Sequence, residues 1–241
     1  HSKIHGHHCG GSVTMPKLTK KCKASVELAE KGKEKHQISD AVKLLKSFPE
    51  RKFDQTVEIV MHLAIDPRQA EQQLRGAVSM PKGVGRSARV VCFCPSDKTD
   101  AAKAAGAVEA GGEDLVKKIE GGWLDFDVAI ATPDMMRFVG KLGRALGPKG
   151  LMPSPKAGTV AADFETAVSE FAAGKVEYRN DDSGNIHCVV GKMSFSEEDL
   201  TENLEFFINM ITKARPAAVK GDFVKKCVIS GTMTPSVRID V

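Results

Sequence analysis

The apolar positions of this chain repeat with different periods in different stretches, and the changes of period divide it. Ala41, Val42, Leu44, Leu45 and Phe48 share one side of a helical repeat, with Ser39 placed to cap its start and Pro49 to stop it. From Phe53 to Leu63 the period becomes two. Val57, Ile59, Met61 and Leu63 alternate with Thr56, Glu58, Val60 and His62, which predicts a strand with separable faces. After residue 86 short apolar runs alternate with helical patterns: strands at 89–94, 107–110 and 127–131, helices at 97–105, 113–120, from Asp134 onward and at 163–172. Beyond Gly174 that alternation stops. A hairpin at 176–179 and 186–190 around Asp181-Asp182-Ser183-Gly184 is predicted next. Ser196 and Asp199 then open a helix with the stripe Leu200, Leu204, Phe207, Ile208 and Ile211, ended before Pro216. Strands at 223–230 and 237–241 close the chain.

Strands alternating with helices imply right-handed crossovers and a parallel sheet covered on both faces. Neither flank of that unit holds enough elements to bury both of its own faces. The expected fold is therefore α/β overall. A discontinuous α+β domain (15–82 plus 175–241) with an antiparallel sheet carries an inserted Rossmann-like α/β domain (83–174), after a disordered extension at 1–14. Two chain crossings near Gly83 and Gly174 would form a hinge, glycine supplying the backbone freedom.

Charge changes this picture little overall and more in its distribution. The net charge is +4, but residues 83–174 carry 11 Lys plus Arg against 12 Asp plus Glu and stand at −1, leaving +5 on the flanks. A nucleic-acid partner is thus sought first on the flanks. The segment from Met15 to Lys35 is lysine-rich and reads equally as a solvated helix face or a phosphate-contacting arm. No apolar run approaches a membrane span. Cys9, Cys22, Cys92, Cys94, Cys188 and Cys227 have neither zinc spacing nor disulfide density, so they read as reduced thiols in a cytoplasmic protein. Cys92 and Cys94, two apart in a strand, share a buried face. The opening stretch could chelate a metal through His5, His7, His8 and Cys9, but it has no apolar periodicity and reads as an extension.

Catalytic chemistry finds little support. The run Gly83-Val84-Gly85-Arg86-Ser87-Ala88 imitates a dinucleotide fingerprint, yet a strand follows it where a helix should. The seven histidines fall into no metal or triad spacing, and His62 and His187 fit strand surfaces. No catalytic residue, metal or cofactor is expected. An enzyme on a Rossmann-like domain is the alternative, argued from fold class alone. The most unusual stretch is KLGRALGPKGLMPSPKAGTV, residues 141–160. Acid-free sequence runs from Met135 to Ala162, and the stretch holds Lys141, Arg144, Lys149 and Lys156 among prolines and glycines that forbid one regular element. A short helix ending near Leu146 and a long ordered loop are expected, packed down by Leu151, Met152 and Val160.

The stretch 142–160 resembles the signature of the L-one family, the protein numbered one of the large ribosomal subunit. Residues 52–86, 121–136, 178–187 and 220–239 resemble further family segments in order, so the likeness covers nearly the whole chain from Met15. It implies the same discontinuous fold, a monomer when free, and no membrane. Its implied partners are the ribosome, the stalk of large-subunit ribosomal RNA, the exit-site transfer RNA and the messenger RNA of its own operon.

Residue types supply a matching constellation. Lys52, Phe53 and Thr56 open the first strand, Tyr178, Arg179 and Asp181 sit at the hairpin, and Lys220, Lys225, Lys226, Thr232 and Met233 lie around the last strands. Cations there would neutralise phosphates, while Phe53 and Tyr178 are either base- or ribose-packing groups or core aromatics. The resemblance favours an RNA site at Lys52, Phe53, Thr56, Arg179, Asp181, Thr232 and Met233, to which Glu58 and Lys220 are added. The basic loop is a second surface. Two departures stand out: Thr234 where the family usually has glycine, and Lys226 where it often has a small hydroxyl residue.

Overall fold

A computed structural model describes Ser25, residues 28–219 and residues 221–241. The predicted extension, most of the lysine-rich segment and Lys220 lie outside the described residues. In chain order the strands are β1 (Lys35–His36), β2 (Thr56–Leu63), β3 (Arg75–Val78), β4 (Val90–Phe93), β5 (Glu109–Gly111), β6 (Val128–Ala131), β7 (Val176–Arg179), β8 (Asn185–Lys192), β9 (Val224–Gly231) and β10 (Val237–Ile239). The helices are α1 (Ile38–Lys46), α2 (Thr99–Ala104), α3 (Glu113–Glu120), α4 (Met136–Val139), α5 (Gly143–Leu146), α6 (Phe164–Ala172) and α7 (Glu197–Lys213).

Five strands from the two flanks form one sheet in the order β1-β10-β9-β2-β8, antiparallel except for β1 beside β10. Its inner positions, Val57, Ile59, Met61, Ile186, Val190, Ile229 and Val237, are buried against Ala41, Val42 and Leu45 of α1 and Leu200, Leu204, Phe207 and Ile211 of α7. Each large apolar side chain so buried stabilises the fold by roughly 1.5–3 kcal/mol. At the start of α7 the Asp199 amide donates to Ser196 Oγ at 3.0 Å, and acids at 197–199 favour the helix N-terminus.

Helix α1 departs from expectation. Gln37, extended and without a side-chain cap, occupies the capping position, and Ser39 lies inside the first turn. Pairing of β1 with β10 brings the chain to the helix start already in place. Strand β2 begins at Thr56 rather than Phe53, because Asp54 and Gln55 are held by Ser194 and Met193 of the loop after β8.

The expected hairpin partner of β7 is also different. β7 pairs antiparallel with β3, and the turn at 181–184 is closed by one bridge between Asn180 and Ile186. Gly76 permits this pairing, since a Cβ there would lie 2.7 Å from the Tyr178 hydroxyl oxygen. Val78 and Tyr178 of this ribbon join the core under the five-stranded sheet, while Ala77 packs on a core of residues 90–171.

The three-stranded sheet β5-β4-β6 is parallel. Val91, Phe93, Ala129 and Ala131 face α3, α4 and α5, while Val90, Cys92, Cys94 and Ile130 face α2 and α6. Both faces are covered, which explains strands with no polar alternation. Asp127 accepts from the Arg89 amide and guanidinium and from Arg86, clipping the start of β6 to the start of β4. Gly83 and Gly174 have φ of +68° and +107°, conformations that favour glycine at both crossings.

Candidate nucleic-acid interface

Among the described residues no helix covers the outer face of the five-stranded sheet. Period-two alternation sends Thr56, Glu58, Val60 and His62 to it from β2. Register places Lys192 opposite Thr56, Val189 and Ser230 on either side of Glu58, and His187 and Val228 on either side of Val60. Glu58 and His187 are exposed. The face is therefore polar with a valine centre, and its groups point where a ligand can reach them.

At one corner the structure gathers most of the sequence-predicted residues. The Thr56 amide donates to Thr232 Oγ1 at 3.1 Å, the Thr232 amide donates to the Thr56 carbonyl at 3.1 Å, and Lys192 Nζ donates to Thr56 Oγ1 at 2.8 Å. The Met233 amide donates to Oε1 of Gln55, a side chain only 3% exposed, at 2.9 Å. Held by these bonds, the Met233 side chain stands 57% exposed and Phe53 51% exposed, and Lys52 is exposed beside Phe53. The departure at Thr234 turns inward: its Oγ1 accepts from the Gly231 amide at 2.8 Å, closing the turn between β9 and β10.

Other candidates separate from this corner. Tyr178 is 8% exposed, meets Phe207 edge-on with centroids 6.0 Å apart and donates to Met210 Sδ. It is a core aromatic, and burial pushes its hydroxyl pKa up. Asp181 builds the turn, Oδ1 accepting from the Ser183 and Asn185 amides at 2.8 and 2.7 Å and Oδ2 from Asn185 Nδ2 at 2.9 Å. Desolvation acts to raise its pKa, but these donors hold it below the ordinary range. Arg179 is exposed and lines a cleft of about 730 Å³ with Thr56, Lys192 and Lys149. Lys141, Arg144, Lys149 and Lys156 are all exposed, but only Lys149 reaches the cleft; Lys141 lies over the Phe138 ring.

Sequence reasoning missed Gln55, Lys192 and Ser230. Lys192 was legible as the outward continuation of β8, whereas the buried carboxamide of Gln55 had no pattern to announce it. Cys92, Cys94, Cys188 and Cys227 are buried, and burial pushes the thiols of Cys92, Cys188 and Cys227 up to about 12, far from nucleophilic use. Among the described residues no His, Cys, Asp and Glu group is arranged to hold a metal, and no helix is long and apolar enough to cross a membrane.

The profile of the ribosomal protein L1p/L10e family matches residues 45–235. The chain is 47% identical over 226 residues to the large ribosomal subunit protein uL1 of Kosmotoga olearia, covering 94% of this chain and 97% of that protein. It is 47% identical, with the same coverage, to the large ribosomal subunit protein uL1 of Lactobacillus delbrueckii subsp. bulgaricus.

Proposed function

The chain belongs to the ribosomal protein L1p/L10e family, and from that premise we propose that it is a structural constituent of the large ribosomal subunit, in the cytoplasm, that holds the stalk of large-subunit ribosomal RNA on the open face of its five-stranded sheet. The family is structural and not catalytic. On the ribosome the protein moves with the stalk and assists release of deacylated transfer RNA from the exit site. Off the ribosome it is a monomer that binds its own operon's messenger RNA and represses translation.

The observation that carries the RNA assignment is the corner at Phe53 and Met233, two exposed apolar side chains, Met233 held by its amide bond to Gln55, in a corner that also holds Lys52 and Lys192. Ribose and base edges offer apolar surface to Phe53 and Met233, and phosphates offer charge to Lys52, Arg179 and Lys220. Glu58 ionised is an acceptor only, so it suits a ribose 2′-hydroxyl or a base amino group and opposes phosphate. The basic loop is a second, weaker contact for the stalk or a transfer RNA. Titration with a stalk fragment of large-subunit ribosomal RNA and with a scrambled fragment tests this. Strong binding of the first only, lost in Phe53→Ala with the fold intact, is the expected result. Equal binding of both fragments overturns it.

A further inference from the structure

Register across the sheet places Lys35 of β1, Arg238 of β10, Val228 of β9, Val60 of β2 and His187 of β8 in a single row on the open face. The next row brings Lys226 beside His62. Three cations from three strands thus stand on the β1-β10-β9 half of the face, four to six residues along β9 from Thr232, about 14–20 Å at roughly 3.4 Å per residue. Lys35 and Lys226 are exposed, and among the described residues neither Lys226 nor Arg238 makes an ion pair. Lys35 Nζ lies 2.8 Å from Asp240 Oδ1, the acid among these groups. A hollow of about 20 Å³ lies among Lys35, Lys225, Lys226, Arg238 and Asp240, enough for one water-sized group.

We propose that Lys35, Lys226 and Arg238 form a second phosphate-binding station, which grips the backbone of the RNA beyond the segment held at Phe53, Thr232 and Met233. This rests on the reading of the open face as the RNA site. Strands β9 and β2 join the two stations, and among the described residues no helix covers them, so one RNA can span both. The exposed Lys35 and Lys226 and the half-buried Arg238 suit phosphodiester oxygens, which accept from them, whereas Asp240 opposes a phosphate and competes for Lys35. These cations do not suit base reading, which needs a bidentate fork held in place. The station is an affinity device and carries no sequence choice.

Salt dependence tests it on the full chain, with a stalk ribosomal RNA fragment as probe. Each phosphate contact contributes about −0.7 to −0.9 to the slope of log affinity against log salt. The triple variant Lys35→Gln, Lys226→Ser, Arg238→Gln is expected to keep its circular dichroism and its preference over scrambled RNA, while its slope becomes shallower by about 1.4 or more, two or more contacts being lost. Asp240→Asn, which frees Lys35, is expected to tighten binding and steepen the slope. An unchanged slope in the folded triple variant, with the parent still specific, overturns the station and leaves the RNA reading standing. A parent that does not prefer the stalk fragment removes the reading and the station with it.

Discussion

Single residues on the open face do two kinds of work, and the structure separates them. Thr232 ties β9 to β2 through its hydroxyl, which meets both the amide and the carbonyl of Thr56. Thr232→Val is therefore expected to lower stability in urea by about 0.5–1.5 kcal/mol as well as RNA affinity, whereas Met233→Ala, whose side chain touches solvent, should lower affinity and leave the urea midpoint in place. Thr234 extends the argument. Because its hydroxyl caps the Gly231 amide, Thr234→Gly, although it restores the family's usual residue, is expected to cost about 0.5–1.5 kcal/mol of stability, while Thr234→Ser keeps it. Asp181 supplies a pH signature. Its folded pKa is depressed, so its stabilisation is present above the unfolded value of about 3.9 and is lost as pH falls through the folded value. Asp181→Asn should unfold more easily than the parent near neutrality, with the difference shrinking in acid. Of these roles the sequence showed the residue types and their nearness to turns. It could not show that Tyr178 and Phe53, alike in type and position, would part into core and surface, because that depends on which side of the β3–β7 ribbon meets α7.

At the scale of elements, the periodic stretches were legible and the pairings were less so. Both the inner stripe of α7 and the alternation of β2 lie in the chain as read, because burying one face demands them. Strand β3, short and holding Gly76, carries no such period, and without it the sequence pattern pairs β7 with its neighbour β8 instead of β3. Asn203 illustrates what a stripe conceals. It sits one position before Leu204 on the buried side of α7, fully buried, accepting from the Lys82 amide and donating to the carbonyls of Gly83 and Val190. A polar side chain at that spacing was a visible signal that something on the facing element needed satisfying. Asn203→Ala removes three hydrogen bonds and strands the buried Val190 carbonyl, the partners at Lys82 and Gly83 being only partly buried, so a stability loss of about 1–3 kcal/mol is expected in urea unfolding. Asn203→Asp keeps the acceptor for Lys82 and loses the donor, and should fall between.

For the whole molecule, the division of labour between the two sheets is the remaining question, and charge and geometry answer it in the same direction. The proposed contacts, Phe53, Thr56, Glu58, Thr232 and Met233 with the cations around them, all lie outside residues 83–174, whose own net charge is −1. Val78 and Val176 face each other at the end of the β3–β7 ladder, so the chain leaves for the insert and returns at neighbouring positions. A short Gly/Ser linker can join those ends without straining the ribbon. Two features stand against a clean excision: Ala77 packs on the insert's core, and Lys149 from the basic loop faces the cleft shared with Thr56 and Arg179. The first should reduce stability, since excision exposes apolar surface on the ribbon. The second should remove at most one phosphate contact, a change of about 0.7–0.9 in the salt slope. Replacement of residues 83–174 by such a linker is accordingly expected to give a fragment with a lower urea midpoint and a cooperative transition. It should still prefer the stalk fragment over scrambled RNA, with a slope within about one unit of the parent's. A fragment that folds by circular dichroism but loses that preference would show that the insert reads the RNA itself, and the basic loop would then be the first place to search.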